Sequence, residues 1–113
     1  MFKAAALTAL AQGADVKSDH WAIIVAGSRG FGNYRHQADA CHAYQIFKSH
    51  GIPEEQIIHI NYDDVANNTE NKNPGTLFNK PTPKGTPGVN VYEGCKIDYK
   101  GKDATTENLL NIF

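Results

Sequence analysis

The sequence predicts an α/β fold organised around a parallel sheet, because two apolar segments flank a helical pattern. Residues 21–26 form an unbroken apolar run that ends at Gly27, which is typical of a strand covered on both faces. Residues 56–62, rich in isoleucine, predict a second strand, and residues 34–50 between them have the periodicity of an amphipathic helix. Strand, helix and strand in this order form a right-handed βαβ unit whose two strands run parallel.

The helix between the strands is bounded by residues suited to its ends. Asn33 stands at the N-cap position, and Gly51 suits the left-handed residue that follows a helix. Pro53 then prevents the helix from resuming. One face of the helix is apolar and is predicted to pack on the sheet: Ala40, Cys41, Tyr44 and Phe47.

The remainder of the chain is predicted to be mostly irregular. Residues 65–90, rich in Asn, Pro, Gly, Thr and Lys, predict a long loop. Alternating polar and apolar residues on either side of 93–95 predict a small hairpin over 89–99. A second helix is predicted to begin within 103–107, with a Thr N-cap and an acidic first turn. Its apolar face comprises Leu109, Leu110 and Phe113.

Composition and charge limit the classes of function. The 113 residues are 41% hydrophobic and carry a net charge of −1, which supports one folded unit rather than a disordered chain. Because basic residues are not clustered, we expect no nucleic-acid partner. No apolar stretch is long enough to predict a membrane-spanning helix.

The N-terminal residues 1–11 predict a secretory signal peptide. Lys3 provides the positive charge, residues 4–11 provide the apolar stretch, and Ala9-Leu10-Ala11 forms an A-x-A cleavage pattern. An N-terminal amphipathic helix is the alternative. Asn67, in the sequon Asn67-Asn68-Thr69, is a candidate glycosylation site that fits the secretory route.

The two cysteines, Cys41 and Cys95, leave the redox state open, because they can form one disulfide or remain two free thiols. If Cys41 is a free thiol, its place on the apolar helix face favours a buried thiol over a reactive one. His50 is not expected to activate Cys95 as a nucleophile, because it lies at the end of the amphipathic helix. The sequence has no C-x-x-C or H-x-x-x-H pattern, so we expect no metal and no other cofactor.

Polar residues directly after the first strand form the candidate site. Residues 27–32 contain three glycines at the carboxyl end of a strand, where α/β proteins bind ligands. Their G-x-x-G-x-G spacing is not a nucleotide-binding motif. Asn33, Arg35 and His36 follow directly, and a capped helix with solvated side chains is the alternative to a site. The acidic pair at 63–64, after the second strand, is predicted to cap a turn rather than to bind a metal.

The segment from Asn33 to Ile46, NYRHQADACHAYQI, closely resembles the legumain family of asparaginyl cysteine endopeptidases, peptidase family C13. The resemblance extends from Trp21 through most of the chain. It includes GIP at 51–53, YDDVAN at 62–67 and DYKGKD at 98–103. The catalytic subunit of the GPI-anchor transamidase shares the NYRH segment, whereas the ADACHAYQI continuation favours the legumain type.

The resemblance implies that residues 20–113 are the N-terminal part of a caspase-like three-layer sandwich with a mainly parallel sheet. It implies a protein of the secretory pathway, lysosomal, vacuolar or secreted, whose substrates are peptides or proteins with Asn at P1, and with Asp at low pH. Asn33 then corresponds to the residue that orients the catalytic histidine. Arg35 and His36 correspond to substrate-binding residues, and an Arg suits a pocket that holds a carboxamide or carboxylate.

Two departures from the family pattern accompany the resemblance. Cys95 stands where the family commonly has an apolar residue. The family's catalytic histidine, in an Asp-His-Gly segment, and its nucleophile, in a Glu-Ala-Cys segment, do not occur in this sequence. We therefore expect a fragment or truncated form that is inactive alone. The alternatives are a non-catalytic binding module that self-associates through an exposed sheet edge, and part of a GPI-anchor transamidase subunit.

Overall fold

The computed structural model describes residues 19–113 and contains the predicted βαβ unit; the signal peptide predicted at 1–11 lies outside the described residues. The helices and strands are β1 (Ala22–Ala26), α1 (Tyr34–Ser49), β2 (Ile57–Asn61) and α2 (Thr106–Leu110), with single 3-10 turns at Phe31–Asn33, Glu54–Gln56 and Gly101–Asp103. β1 and β2 pair in parallel, with Ile24 opposite His59. This is the α/β arrangement expected for the N-terminal part of a caspase-like fold.

α1 packs its apolar face on the sheet, as the periodicity predicts. Its buried residues Ala40 and Tyr44 join Ile24 and Ile57 in one hydrophobic cluster, and Phe47 packs against this cluster. Fully burying a side chain the size of isoleucine contributes roughly 1.5–3 kcal/mol. The contact between α1 and the sheet therefore supplies much of the stabilisation of the βαβ unit.

Both ends of α1 lie where the sequence predicts them. Asn33 is the N-cap residue, His50 is the C-cap residue, and Gly51 follows with φ 92°, a conformation that glycine adopts without strain. The Asn33 side chain makes no capping hydrogen bond to the helix. Its Nδ2 donates to the carbonyl oxygen of Arg29 over 3.0 Å.

A second hydrophobic cluster lies between α1 and the long loop. Its buried members are Ala38, Cys41, Val65, Ala66, Leu77 and Val91. Cys41 forms a disulfide with Cys95, which packs against both clusters. Of the two alternatives that the sequence leaves open, one disulfide or two free thiols, the structure contains the disulfide. The chain brings the Cα atoms of the two cysteines to 5.5 Å from each other, a separation typical of disulfides.

Only one face of β1 is well covered within residues 19–113, which corrects the prediction of a strand buried on both faces. Ala22, Ile24 and Ala26 are buried, whereas Ile23 and Val25 are 38% and 48% exposed. The reason is that α1 covers the first face, while α2, five residues long, leaves the second face largely open.

The hairpin predicted over 89–99 does not form, because its two halves pair with different parts of the chain. The first half lies against the long loop, where Val91 N donates to Leu77 O over 2.9 Å. The second half lies against the edge of β2, where Tyr99 forms a single parallel bridge. A turn at 92–95 joins the two halves.

The long loop predicted over 65–90 is confirmed, and a buried asparagine organises its first half. Asn71 Nδ2 donates to the carbonyl oxygens of Ala66, at 2.8 Å, and Thr76, at 3.0 Å, and its Oδ1 accepts from Asn73 N. A buried amide with its partners satisfied fixes the backbone around it. The segment is therefore well defined although it contains no helix or strand.

α2 begins as predicted, with a threonine N-cap and an acidic first turn. Thr105 Oγ1 accepts from Asn108 N over 3.1 Å, and Glu107 lies in the first turn. The apolar residues Leu110 and Phe113 are 65% and 85% exposed. None of the helices in residues 19–113 is long and apolar enough to cross a membrane.

Candidate functional site

The carboxyl ends of β1 and β2 lie side by side, and the loops that follow them meet the first turn of α1. In a parallel sheet with helical crossovers, ligand-binding residues collect at this edge. Here the edge carries residues 27–33 after β1 and residues 62–64 after β2. A cavity of about 360 Å³ opens between β1, these loops and the start of α2. Asn33, Arg35 and His36 continue directly from the first of the two loops.

Asp64 ties both loops and α1 together. Its Oδ2 accepts from Gly30 N over 2.9 Å, and its Oδ1 accepts from Gln37 Nε2 over 2.8 Å. Hydrogen bonds to a charged group contribute about 1.5–3 kcal/mol. The Asp64 carboxylate therefore does not cap a local turn, which is what the sequence predicts for the acidic pair, but joins the loop after β2 to the loop after β1 and to α1.

Asp63 has a left-handed backbone, with φ 60°, directly after β2. A non-glycine residue in this region needs support from its surroundings. Asp63 N donates to Asn61 Oδ1 over 3.0 Å, its carboxylate accepts from Tyr92 OH over 2.8 Å, and Lys100 Nζ lies 3.9 Å from its Oδ2. Burial and the bond to Asp63 raise the pKa of Tyr92 to about 12, so its hydroxyl remains a donor at neutral pH.

Asn33 presents at this edge an amide oxygen that has no partner among residues 19–113. Its backbone N donates to Gly30 O over 3.0 Å, and its Nδ2 donates to Arg29 O over 3.0 Å. These two bonds hold both the backbone and the amide group. Within residues 19–113 the Asn33 Oδ1 has no partner, so it is available to accept a hydrogen bond.

Two arginines border the site. Arg35 is exposed and makes one hydrogen bond, from Nη1 to Gly32 O over 3.3 Å, so most of its guanidinium donors are uncommitted in the described part of the chain. Arg29, which sequence reasoning does not single out, is held against Tyr62. Its Nη1 lies 3.4 Å from the hydroxyl, and its guanidinium lies 5.5 Å from the ring centroid. The edge is therefore suited to a ligand that accepts hydrogen bonds.

His36 is held by Ser28, the second residue after β1. Ser28 Oγ lies 2.6 Å from His36 Nδ1, and the ring's Nε2 has no partner among residues 19–113. Both residues line a cleft of about 540 Å³ between β1 and α1. Ser28 is a site residue that sequence reasoning misses. Its one sequence signal is its place in the glycine-containing loop directly after a buried strand.

The structure does not bring His50 and Cys95 together as a base and a nucleophile. His50 Nδ1 lies 2.8 Å from Ile46 O at the exposed end of α1, whereas Cys95 is in the disulfide. No cysteine within residues 19–113 is free, and no three potential metal ligands gather in that range. The described residues therefore offer hydrogen bonds and positive charge to a ligand, without a thiol nucleophile.

Comparisons with known proteins show the family of this chain. The profile of the peptidase C13 family matches residues 20–113. Legumain from Rattus norvegicus is 57% identical over 94 residues, which cover 83% of this chain and 20% of the relative. Legumain from Homo sapiens is 52% identical over 94 residues, 83% of this chain and 21% of the relative. Vacuolar-processing enzyme beta-isozyme 1 from Oryza sativa subsp. japonica is 49% identical over 100 residues, 88% of this chain and 19% of the relative. The chain thus spans about a fifth of the length of these relatives.

Proposed function

Because this chain belongs to the peptidase C13 family, we propose that it forms the substrate-facing part of a cysteine endopeptidase that cleaves after Asn, and after Asp at low pH. In this mechanism a Cys thiolate attacks the carbonyl carbon of the scissile bond while a histidine acts as the base, and water then hydrolyses the thioester. The residues of this chain position the histidine and bind the side chain at P1.

The observation that carries the proposal is the Oδ1 of Asn33, which has no hydrogen-bond partner among the described residues. A group that orients a catalytic imidazole must accept the ring's N–H, and it must itself be held in place. Asn33 meets both needs, since its Nδ2 is bonded to Arg29 O and its oxygen is unpaired within residues 19–113. Its place at the carboxyl edge of the sheet is where such a site is expected in an α/β fold.

Arg35 and His36 are proposed to bind the side chain at P1. A guanidinium donates hydrogen bonds to the oxygen of either a carboxamide or a carboxylate. Because the side chains of Asn and Asp have nearly the same shape, one pocket can bind both. His36 is fixed through Nδ1 by Ser28, so its Nε2 can face a ligand.

The sequence contains neither an Asp-His-Gly nor a Glu-Ala-Cys segment, so we propose that these 113 residues alone do not turn over substrate. The first test is direct. The purified chain is incubated at acid pH with a fluorogenic peptide that contains Asn, and no cleavage is expected. Cleavage that a thiol-blocking reagent abolishes would show that a nucleophile is present after all.

The second test supplies the missing groups. Residues 20–113 replace the matching segment of rat legumain, and we expect the chimera to cleave after Asn. N33A should lower kcat by roughly 100-fold, the usual contribution of acid–base catalysis. R35K, which keeps the charge but loses the planar fork, should raise KM by about tenfold, or 1.4 kcal/mol. K48A, on the exposed far end of α1, should change neither. Full kcat in N33A would refute the assigned role.

The proposed compartment is lumenal, lysosomal or vacuolar. The Cys41–Cys95 disulfide supports it, because disulfides persist in oxidising compartments. The sequon supports it too, since Asn67 and Thr69 are exposed and have no hydrogen-bond partners in the described residues. By contrast, the neighbouring Asn68 is engaged, with Nδ2 on Asp64 O and Oδ1 accepting from the backbone. Asn67 is therefore the proposed site of a glycan.

A non-catalytic module that self-associates is the second candidate, and one observation favours it. The outer edge of β1 has no strand beside it within residues 19–113, and Trp21 and Val25 on this strand segment are 65% and 48% exposed. Open strand edges with apolar side chains favour association. Sedimentation of the 113-residue chain tests it: dimers that V25K abolishes would support association, whereas a monomer at all concentrations would exclude it.

A further inference from the structure

The core of the βαβ unit contains a histidine that the proposed function does not use. His59 lies in the middle of β2 with no exposed surface, and of the histidines in residues 19–113 it alone is buried. Both of its ring nitrogens have partners. Nδ1 lies 3.0 Å from Lys96 O, and Nε2 lies 3.3 Å from Asn61 Nδ2.

These partners define which nitrogen carries the proton. A backbone carbonyl can only accept, so Nδ1 must donate to Lys96 O, and the neutral ring then accepts at Nε2. Asn61 therefore presents its amide N–H to the ring. Its amide orientation is fixed independently, because Asn61 Oδ1 accepts from the backbone N of Asp63 over 3.0 Å. The neutral ring satisfies every group in this chain of contacts.

Two parts of the chain surround the His59 ring and backbone. From α1, the Tyr44 ring stacks on the imidazole with centroids 6.1 Å apart, and burial together with Glu54 raises the Tyr44 pKa, so this neighbour is uncharged. From the segment before Tyr99, Cys95 Sγ lies 3.7 Å from Nδ1, and the Asp98 carboxylate accepts from His59 N over 2.8 Å.

The groups near the His59 ring have opposing effects on its pKa. Burial disfavours the imidazolium and lowers the pKa of His59, and the Lys96 ammonium acts in the same direction. The bond to the Lys96 carbonyl and the carboxylates of Asp98 and Asp63 favour the charged form, but burial is the largest of these effects. The native structure thus holds a neutral imidazole that acid must charge within the core.

We propose that His59 is an acid-sensitive latch, which holds the backbone at Asp63 while its ring is neutral and releases it when the ring is protonated. A proton from solvent adds to the Nε2 lone pair and turns this acceptor into a donor. The Asn61 amide can match the new donor only by turning its oxygen to the ring. The Asp63 N–H then faces an amide N–H and loses its acceptor.

A change in the backbone at Asp63 affects the candidate site through the next residue, Asp64. Asp63 is in the left-handed conformation, and the next residue, Asp64, bonds Gly30 N and Gln37 Nε2. Loosening Asp63 therefore loosens the contact that joins the loops after β1 and β2. The latch sets an acidic limit to the pH range in which the edge keeps its geometry. The inference goes beyond the proposed function and does not depend on it, since it concerns this chain's own fold.

The sign of the pH dependence follows from linkage. The folded-state pKa of His59 is lowered below the unfolded value of about 6.5, so the unfolded chain binds the proton more readily. The stability contribution is fully present above about pH 6.5 and is lost progressively as the pH falls from that value through the folded-state pKa. The folding equilibrium constant should fall by up to tenfold per pH unit, until the folded-state pKa is passed.

Two measurements on the 113-residue chain test the latch. In wild type, NMR titration of ¹⁵N-labelled histidine should give His59 a midpoint below 6.5, and the Asp63 amide signal should shift with the same midpoint. In urea unfolding at a series of pH values below 7, H59Q should lack the part of the acid-induced loss that is assigned to His59. H50Q, which alters an exposed ring at the end of α1, should retain it.

The proposal is overturned by a His59 midpoint at or above 6.5, or by an Asp63 amide signal that does not follow the His59 titration. An H59Q chain with the same acid-induced loss as wild type would also overturn it. If H59Q does not fold, the wild-type titration decides alone, because it reports both the protonation of His59 and the response of Asp63. The Asp63 response separates a latch from a histidine that is merely buried.

Discussion

Reduction of the Cys41–Cys95 disulfide should lower the free energy of unfolding by about 4 kcal/mol. The two cysteines are 54 residues apart in sequence, and the loop-closure entropy for a loop of this length gives about 4 kcal/mol at 25 °C. A domain of this size has a total stability of roughly 5–15 kcal/mol. The disulfide therefore supplies a large share of it, and the reduced chain is expected to be only marginally folded.

The assay is urea unfolding followed by far-UV circular dichroism, with and without dithiothreitol. C95S should unfold at about the midpoint of the reduced wild type and should be insensitive to dithiothreitol, because it has no bridge to lose. Thiol titration in denaturant should find no free thiol in the oxidised chain and two after reduction. An oxidised chain with two titratable thiols, or a midpoint that dithiothreitol leaves unchanged, would refute the reasoning.

Three further substitutions test other contacts. D64A removes the acceptor for the loop after β1 and for Gln37, and should cost about 1.5–3 kcal/mol per bond in urea unfolding, whereas D39A, on the exposed side of α1, should cost little. Amide exchange at Gln37 in D64A should rise if the bond holds α1, and unchanged exchange would count against it. T105A removes the cap of α2 and should cost about 1 kcal/mol, seen as faster amide exchange in that helix alone. Secretion from a eukaryotic host should give a glycosidase-sensitive mass increase that N67Q abolishes; an unmodified wild type would contradict the glycan proposal.

Local signals in the sequence predict the βαβ unit well, because each of its boundaries depends on nearby residues. The φ of 92° at Gly51, just after α1, is a property of a single turn, and the type of residue at that position predicts it. The hydroxyl cap of Thr105 at the start of α2 is predicted in the same way. The candidate site is predicted in the same way, since Asn33 follows a loop at the end of a strand. What these signals omit is Ser28, whose role depends on a ring eight residues later in the chain.

Contacts between distant segments are the part that could not be predicted from local pattern. The spacing of Cys41 and Cys95 is compatible with a bridge and with two thiols, and only the path of the long loop decides between them. The alternation over 89–99 is real, but it reflects pairing with two separate partners, which a hairpin prediction cannot distinguish from mutual pairing. The apolar run of β1 likewise reports a preference for burial without showing what covers each face.

The disulfide also determines the result of a proteolytic cut in the backbone between the two cysteines. Residues 83–89 form an exposed stretch between the two cysteines, and exposed loops are preferred sites of proteolytic nicking. A cut there leaves the two pieces covalently joined, and Gln45 still bonds the carbonyl oxygens of Val91 and Glu93. The nicked protein would keep its mass apart from one water, and it would separate into two bands only on a reducing gel.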